Sequence, residues 1–428
     1  MNKKSIVYIA ILLIAFLFTG CKKIFHSYTY FPLKSEVSEV QPMTGIVFFN
    51  DNYACANFAD IMSLEFTYIK FNEVVVDSGV YDWSVVEEAL NKAASHNHQL
   101  VIRFAYTKPG EHTTVPDYIK QRPDYHETVG LSEGKETYFP DWTNEELKRF
   151  TLEFHTKFAE KYDNDPRLAF IEVGFGLWAE YHIYDGPFEL GVTFPSKEFQ
   201  KQFFYHLEDT YKTLRWLVGI ETMDETYSPL PDDPQIKDRV HYGLFDDSFM
   251  HKYHYLWNES LWRKHGMDRY KFAPNGGEFS YYTEYDQEHV LDTQGIYGHT
   301  WEEEARKFHM TFILGNDQLH YQRHERVKQA SMAAGYHYKI LEFKADENQT
   351  FITITNTGTA PIYYDAYITV NNIPSGENLR NLLPGDTALY IVDVGYKKGD
   401  PIPDIEIKCD HILPTQKIQF DADLNPKN

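Results

Sequence analysis

Cysteine is scarce: the 428-residue chain has three, at positions 21, 55 and 409, with no CxxC or Cys/His spacing among them. That suggests neither a disulfide framework nor a zinc module. Positive charge is also short, with 41 Lys plus Arg against 63 Asp plus Glu, a formal net charge of -22. Such a balance repels polyanions and argues against a mainly electrostatic nucleic-acid binder. There is no Walker loop, no GxGxxG after the first strand-like run, no GxSxG elbow and no HExxH, so nucleotide use, serine-hydrolase chemistry and a zincin site have no support. Nineteen histidines include the helically spaced pairs His251/His254 and His320/His324, but without a supporting motif no metal and no cofactor is expected. Internal repeats and low-complexity tracts are absent too. What remains is 43% hydrophobic and 24% charged, the composition of a folded globular chain.

The one long apolar run is N-terminal. Lys3 and Lys4 precede IVYIAILLIAFLF, which ends at Thr19-Gly20-Cys21, the order of an export signal. A cysteine straight after small residues resembles the lipobox of bacterial lipoproteins, which implies lipidation at Cys21 and a membrane-anchored protein of the cell envelope. Thirteen apolar residues fall below the roughly 18 that a spanning helix needs. Loss of residues 1–20 removes two cations and no acid, leaving 39 minus 63, or -24. Residues 21–44 then read as a tether.

From Gly45 the chain alternates short β-like runs with amphipathic helical segments. The runs begin at Gly45, Phe66, Leu100, Leu168, Leu214, Val240, Tyr270 and Thr311, and eight of them fit a (β/α)8 TIM barrel over residues 45–335. The fifth is the least distinct. Helices are clearest at Ser84 to His96, at Asn144 to Tyr162 and at Lys197 to Lys212, and Ser84 with Glu87 has the spacing of a capping box. Beyond Gly335, alternating runs such as TFITITNTGTAP, separated by Asn-Thr-Gly and Pro-Gly turns, predict a small all-β sandwich over residues 336–428. The fold class is therefore α/β, a barrel followed by a sandwich.

In a parallel barrel the reacting groups sit at the C-terminal ends of strands. Two glutamates qualify: Glu180 after the fourth run, in GFGLWAEYH, and Glu278 ending the seventh, in APNGGEFSYY. They lie 278 minus 180, or 98, residues apart, compatible with strands four and seven. Two facing carboxyls are what glycosidic cleavage requires, one to protonate the leaving oxygen and one to attack the anomeric carbon or activate water. The nearby glycines permit close backbone approach to a ligand, and aromatic rings suit stacking on sugars. Arg103, Trp178, His182, Asp246, Asp247, Tyr281 and Asn316 are the substrate-binding candidates on the same rim, with Trp142, Tyr282 and Asp317 behind them. Arg103 reads equally as an ion-pair partner, and Asp246 and Asp247 as a helix cap before Ser248.

The stretch Lys70-Phe71-Asn72-Glu73, then Gly79-Val80-Tyr81-Asp82-Trp83-Ser84 and Arg103-Phe104, resembles the second and third βα units of β-galactosidase-type glycoside hydrolases. Glutamates ending strands four and seven are likewise the arrangement of the retaining glycosidase clan with that barrel. Gly174-Phe175-Gly176-Leu177-Trp178-Ala179-Glu180-Tyr181-His182 is similar to the "G-F-x-G-x-W-G-E-x-H" segment of a bacterial domain family of unknown function, with a glycosidase-like barrel and C-terminal sandwich. The resemblance implies a glycoside hydrolase acting on a poly- or oligosaccharide, with Glu180 as acid/base and Glu278 as nucleophile or electrostatic partner. Ala179 stands where the clan places Asn and where the second family places Gly. A non-catalytic glycan-binding lipoprotein on the same scaffold is the alternative. The negative charge disfavours sulfated or uronic-acid glycans unless local cations line the pocket.

Overall fold

The computed structural model describes residues 27–425, so the export signal and Cys21 lie outside the described residues. Eight parallel strands close into a barrel. In chain order these are β1 (Gly45–Phe49), β2 (Leu64–Ile69), β3 (Gln99–Phe104), β4 (Leu168–Val173), β5 (Arg215–Gly219), β6 (Gly243–Phe249), β7 (Asn275–Phe279) and β8 (Phe312–Leu314). β8 pairs back onto β1 through Phe312↔Gly45 and Leu314↔Val47, which leaves the barrel without an edge. Most of the strands are rich in apolar residues because both faces are covered, one by the barrel interior and one by helices, while β6 and β7 carry polar residues toward their C-terminal ends.

Three of the covering helices are α1 (Ser84–Ser95), α2 (Glu145–Tyr162) and α3 (Lys197–Thr210). In α2, Leu147, Phe150, Phe154 and Phe158 repeat at three- and four-residue steps and are all buried against the barrel. Asn144 caps it, accepting from the Glu146 and Leu147 N–H groups. Ser84 is not a cap: it is the first helical residue of α1, and Asp82 accepts from its N–H (2.9 Å) and hydroxyl (2.5 Å). The second run also ends earlier than its composition suggests. After Ile69 the chain turns into a short helix, Phe71–Val74, and a small hairpin, because Glu73 folds back to accept from the Lys70 N–H.

The sandwich is built from β9 (Tyr338–Ala345), β10 (Thr350–Asn356), β11 (Ala366–Val370), β12 (Thr387–Val392), β13 (Ile405–Cys409) and β14 (Phe420–Leu424). One sheet runs β12-β10-β9-β14, and β11 pairs with β13 in the other. The expected tether needs correcting from residue 29 onward. Leu33–Ser35 is an edge strand antiparallel to β14, and Thr29–Tyr30 pairs with β9. Phe31 between them is buried against Phe343, ring centroids 4.8 Å apart, which anchors the segment.

The sandwich closes the N-terminal end of the barrel. Val47, Leu64, Phe66, Val101, Phe170 and Phe312 inside the barrel form one buried cluster with Tyr336, Tyr338, Tyr363 and Tyr364 of the sandwich. The Tyr363 hydroxyl donates to the Tyr270 carbonyl (2.8 Å) and the Tyr364 hydroxyl to that of Ala169. The C-terminal end of the barrel is left open.

Candidate active site

At that end lies a cavity of about 630 Å³. Five carboxylates line it, Glu133, Glu180, Glu221, Asp247 and Glu278, together with His182 and Ser248. Its apolar walls are aromatic: Phe49, Tyr68, Trp178, Tyr184, Tyr281 and Tyr282. Glu180, Glu278, Trp178, His182, Asp247, Tyr281 and Tyr282 were singled out in the sequence, and the fold brings them to one pocket.

The loop after β4 shapes one wall. It folds back on itself, with the Gly176 N–H donating to the Glu180 carbonyl (2.8 Å) and the Leu177 N–H to that of His182 (3.2 Å). A side chain on Gly174 would lie 1.9 Å from the Ala179 carbonyl oxygen, and one on Gly176 1.8 Å from that of His182. These glycines therefore admit the loop's own backbone rather than a ligand. Gly277 does the same against β6, where an added Cβ would meet the Asp246 carbonyl at 2.2 Å. Trp178 and Ala179 both take left-handed conformations, φ 57° and 60°. That accounts for glycine at the Ala179 place in the similar segment. Ala179 is buried and does not line the cavity, so its side chain offers no ligand contact there.

Arg103 organises the floor from below. Its side chain, 3% exposed, donates from Nε to Glu172 Oε2 (2.6 Å) and from both Nη atoms to Asp247 (2.6 and 3.1 Å). The guanidinium also sits 4.2 Å from the centroid of the Phe245 ring. It does not line the cavity and so acts as the ion-pair partner rather than a sugar contact. Burial works against its charge, and Asp247 and Glu172 more than offset this, holding it protonated.

The glutamates are held toward their neutral forms. Burial, Asp247 and Glu180 push Glu278 well above the usual carboxylate range, with Arg103 opposing in part. Burial raises Glu180 too, while a 2.6 Å contact with His182 Nε2 pulls the other way. Burial takes Glu221 up to about 8 and Glu172 up to about 7. For His182, burial disfavours the imidazolium, but Glu221 and Glu180 prevail and raise it to about 9. The pocket thus holds titratable protons at neutral pH beside a cationic imidazole.

Several candidates lie elsewhere. Asp246 points into the helical layer, accepting from Asn258 Nδ2 (2.6 Å), Trp262 Nε1 (3.1 Å) and the Ser248 N–H (3.1 Å); it lies inside β6 with no helix starting at Ser248, so it is not a helix cap. Asn316 is outside the cavity lining: its Oδ1 accepts from the Phe49 N–H (3.0 Å) and Asn52 Nδ2 (2.8 Å), tying β8 to β1. Trp142 is enclosed by Tyr106 and Phe175. His251 contacts Asp286 (2.7 Å) and His254 faces Asp246 (3.0 Å), so that pair does not converge.

Glu133, Glu172, Glu221, Tyr68 and Tyr184 went unnoticed in the sequence. Glu133 arrives on the turn of a hairpin, Thr128–Ser132 with Lys135–Phe139, and accepts from the Tyr184 hydroxyl (2.6 Å). Glu172 has a readable signal, since it stands two residues beyond Phe170 on the inward face of β4.

No family model and no curated protein matches the chain. Among solved structures it is similar to a family 30 subfamily 8 xylanase from Clostridium acetobutylicum, 12% identical over 86% of this chain and 100% of that one, TM-score 0.38. A family 39 glycoside hydrolase from Bacteroides cellulosilyticus is 12% identical over 84% and 82%, TM-score 0.41. Xylanase 10B from Thermotoga maritima is 11% identical over 64% and 83%, TM-score 0.41. At such identities the chemistry of the pocket has to come from its own residues.

Proposed function

We propose that the protein hydrolyses glycosidic bonds of a neutral poly- or oligosaccharide, with Glu180 and Glu278 as the reacting carboxyls. The observation that carries this reading is their presence in one aromatic-walled cavity at the C-terminal end of the barrel, in electrostatic contact with each other. The reaction needs one protonated carboxyl and one carboxylate. Burial raises both carboxyls and the charge of Glu180 raises Glu278, so the two titrate as a coupled pair that can share one proton, and the reactive form is the one with that proton on Glu180. Glu180 is the acid/base in this reading. Its contact to His182, whose side chain is 21% exposed, offers a route for the proton that must return each cycle. Glu278, which feels the charges of Asp247 and Glu180, is the nucleophile or the stabiliser of developing positive charge. Tyr68, Trp178 and Tyr281 present ring faces for sugars, and Asp247, fixed by Arg103, accepts hydroxyls.

The test is turnover of a panel of neutral oligosaccharides by the purified protein, with Glu180→Gln and Glu278→Gln in parallel. New reducing ends from the wild type, and a loss of at least about 10²-fold in either variant with binding retained, support the reading. Binding without cleavage by the wild type would favour the glycan-binding alternative. Azide separates the roles, since it reaches the anomeric carbon from opposite faces in the acid/base and nucleophile variants. For location we propose an envelope lipoprotein anchored through Cys21. Among the described residues no helix is long and apolar enough to cross a membrane. Cys21→Ala should abolish incorporation of labelled fatty acid.

A further inference from the structure

Away from the pocket, three side chains, from a strand, a helix end and the turn before the next strand, converge at the opposite end of the barrel. Glu65 lies near the start of β2, on the face turned outward from Phe66 and the interior, and is fully buried. His96 is the C-cap of α1, and His98 directly precedes β3. Both rings aim Nδ1 at the same carboxylate oxygen, Glu65 Oε1, at 2.7 and 2.8 Å. The other oxygen accepts from Asn50 Nδ2 (2.7 Å). All three donor atoms lie within 4.8 Å of one another.

The second nitrogen of His98 shows what this site lacks. Nε2 lies 3.1 Å from the Ala59 carbonyl, which can only accept, so that nitrogen carries the hydrogen. In a neutral His98 the Nδ1 lone pair then points straight at a carboxylate oxygen 2.8 Å away. Two acceptors at that distance, one on a buried carboxylate, need a proton or a metal ion between them. A carbonyl that fixes the far nitrogen and leaves the near one free is also the support that metal-bound imidazoles receive. Cys55 is close by, but its thiol is turned to the Phe49 carbonyl (3.4 Å), and burial and Glu65 keep it protonated.

We propose that Glu65 Oε1, His96 Nδ1 and His98 Nδ1 bind one divalent transition-metal ion of the zinc class. Two imidazoles and a carboxylate suit such an ion, and tetrahedral metal bonds of about 2.0–2.2 Å put neighbouring donors about 3.4 Å apart, so the present 2.7 and 2.8 Å contacts would open by about 0.6 Å. His96, with a side chain 17% exposed, gives the ion its way in and leaves room for water as a further ligand. Lying by the N-terminal ends of β2 and β3, the ion would pin these strands and the end of α1 together, a stabilising role separate from hydrolysis.

The purified full-length protein, stripped with chelator, is incubated with zinc chloride, freed of unbound metal and measured by mass spectrometry for zinc per chain. Wild type should retain about one equivalent and gain several degrees in thermal midpoint, and Glu65→Gln and His98→Ala should lose about nine-tenths of both effects. Should these core variants fail to fold, His96→Ala alters only the partly exposed ligand and should fold while losing the zinc. Cobalt loading adds a spectroscopic readout, with visible bands that His96→Ala changes. Less than about a tenth of an equivalent in wild type would overturn the proposal. So would equal retention by wild type and His96→Ala, which would place the metal on other members of the nineteen histidines. A metal-free His98 ring carrying two protons at neutral pH by NMR would assign the cation to the imidazolium and overturn it as well.

Discussion

The two ends of the barrel interior are built from the same strands, two residues apart, and differ in almost every physical respect. Toward the N-terminal end the inward positions are Phe66, Val101, Phe170 and Phe245, sealed by tyrosines of the sandwich. One inward step later the same strands carry Tyr68, Arg103, Glu172 and Asp247. The strand period of two thus converts a hydrophobic plug into a charged floor within roughly 7 Å. At the plug, burial stabilises each residue; at the floor, burial opposes each charge and is offset by Arg103 and His182. The lesson is that the plug holds the fold while the floor stores unfavourable electrostatics for use.

The sharpest way to break this contrast is to treat the floor like the plug. Arg103→Met leaves Glu172 and Asp247 buried without their cation, and should cost about 3–5 kcal/mol in urea unfolding. Adding Glu172→Gln and Asp247→Asn should recover most of that loss, since the penalty comes from uncompensated charge. At the plug, Tyr364→Phe removes the donor to the Ala169 carbonyl and should cost about 1–3 kcal/mol, with turnover unchanged.

Solution pH separates the ends next. Glu172, Glu221 and Glu278 have folded pKa values above those of the unfolded chain, so their contribution is complete below about pH 4.5 and is lost as pH rises through the folded values. His182, raised from 6.5 to about 9, acts in the same sense over its own window. The thermal midpoint should fall between about pH 5 and pH 9, and Glu221→Gln should flatten that fall around pH 8. The smallest effect is expected at Ala179, where glycine relieves a left-handed backbone at the loss of a buried methyl. Ala179→Gly should shift stability by no more than about 1 kcal/mol and leave turnover intact.

The plug was far more legible in the sequence than the floor. Strands buried on both faces appear as apolar runs, and each of the eight overlaps its run, although β6 starts only at Gly243 and β7 only at Asn275, with Arg269–Lys271 a helical turn. Acids inside those runs look like interruptions, so Glu172 does not stand out from the rest of β4. Glu221 follows the least distinct strand, and Glu133 comes on a hairpin remote from the other wall residues in the chain. Arg103, Asp246 and Asn316 sit at the expected strand ends, but position along a strand does not say which way a side chain turns. The glycines around Glu180 and Glu278 mark close approach, yet what approaches is the protein itself, backbone at Gly174, Gly176 and Gly277 and the Phe312 ring at Gly276. Strands of two and three residues, such as Thr29–Tyr30 and Leu33–Ser35, carry too little periodicity to stand out from a tether.

The most direct measurement is the paired change in stability and turnover for Glu278→Gln at about pH 8. A buried carboxyl kept for chemistry rather than for the fold should be replaceable by its neutral isostere with stability unchanged or increased, while turnover falls at least about 10²-fold. A variant that is less stable and hydrolyses glycans as the wild type does would contradict the account.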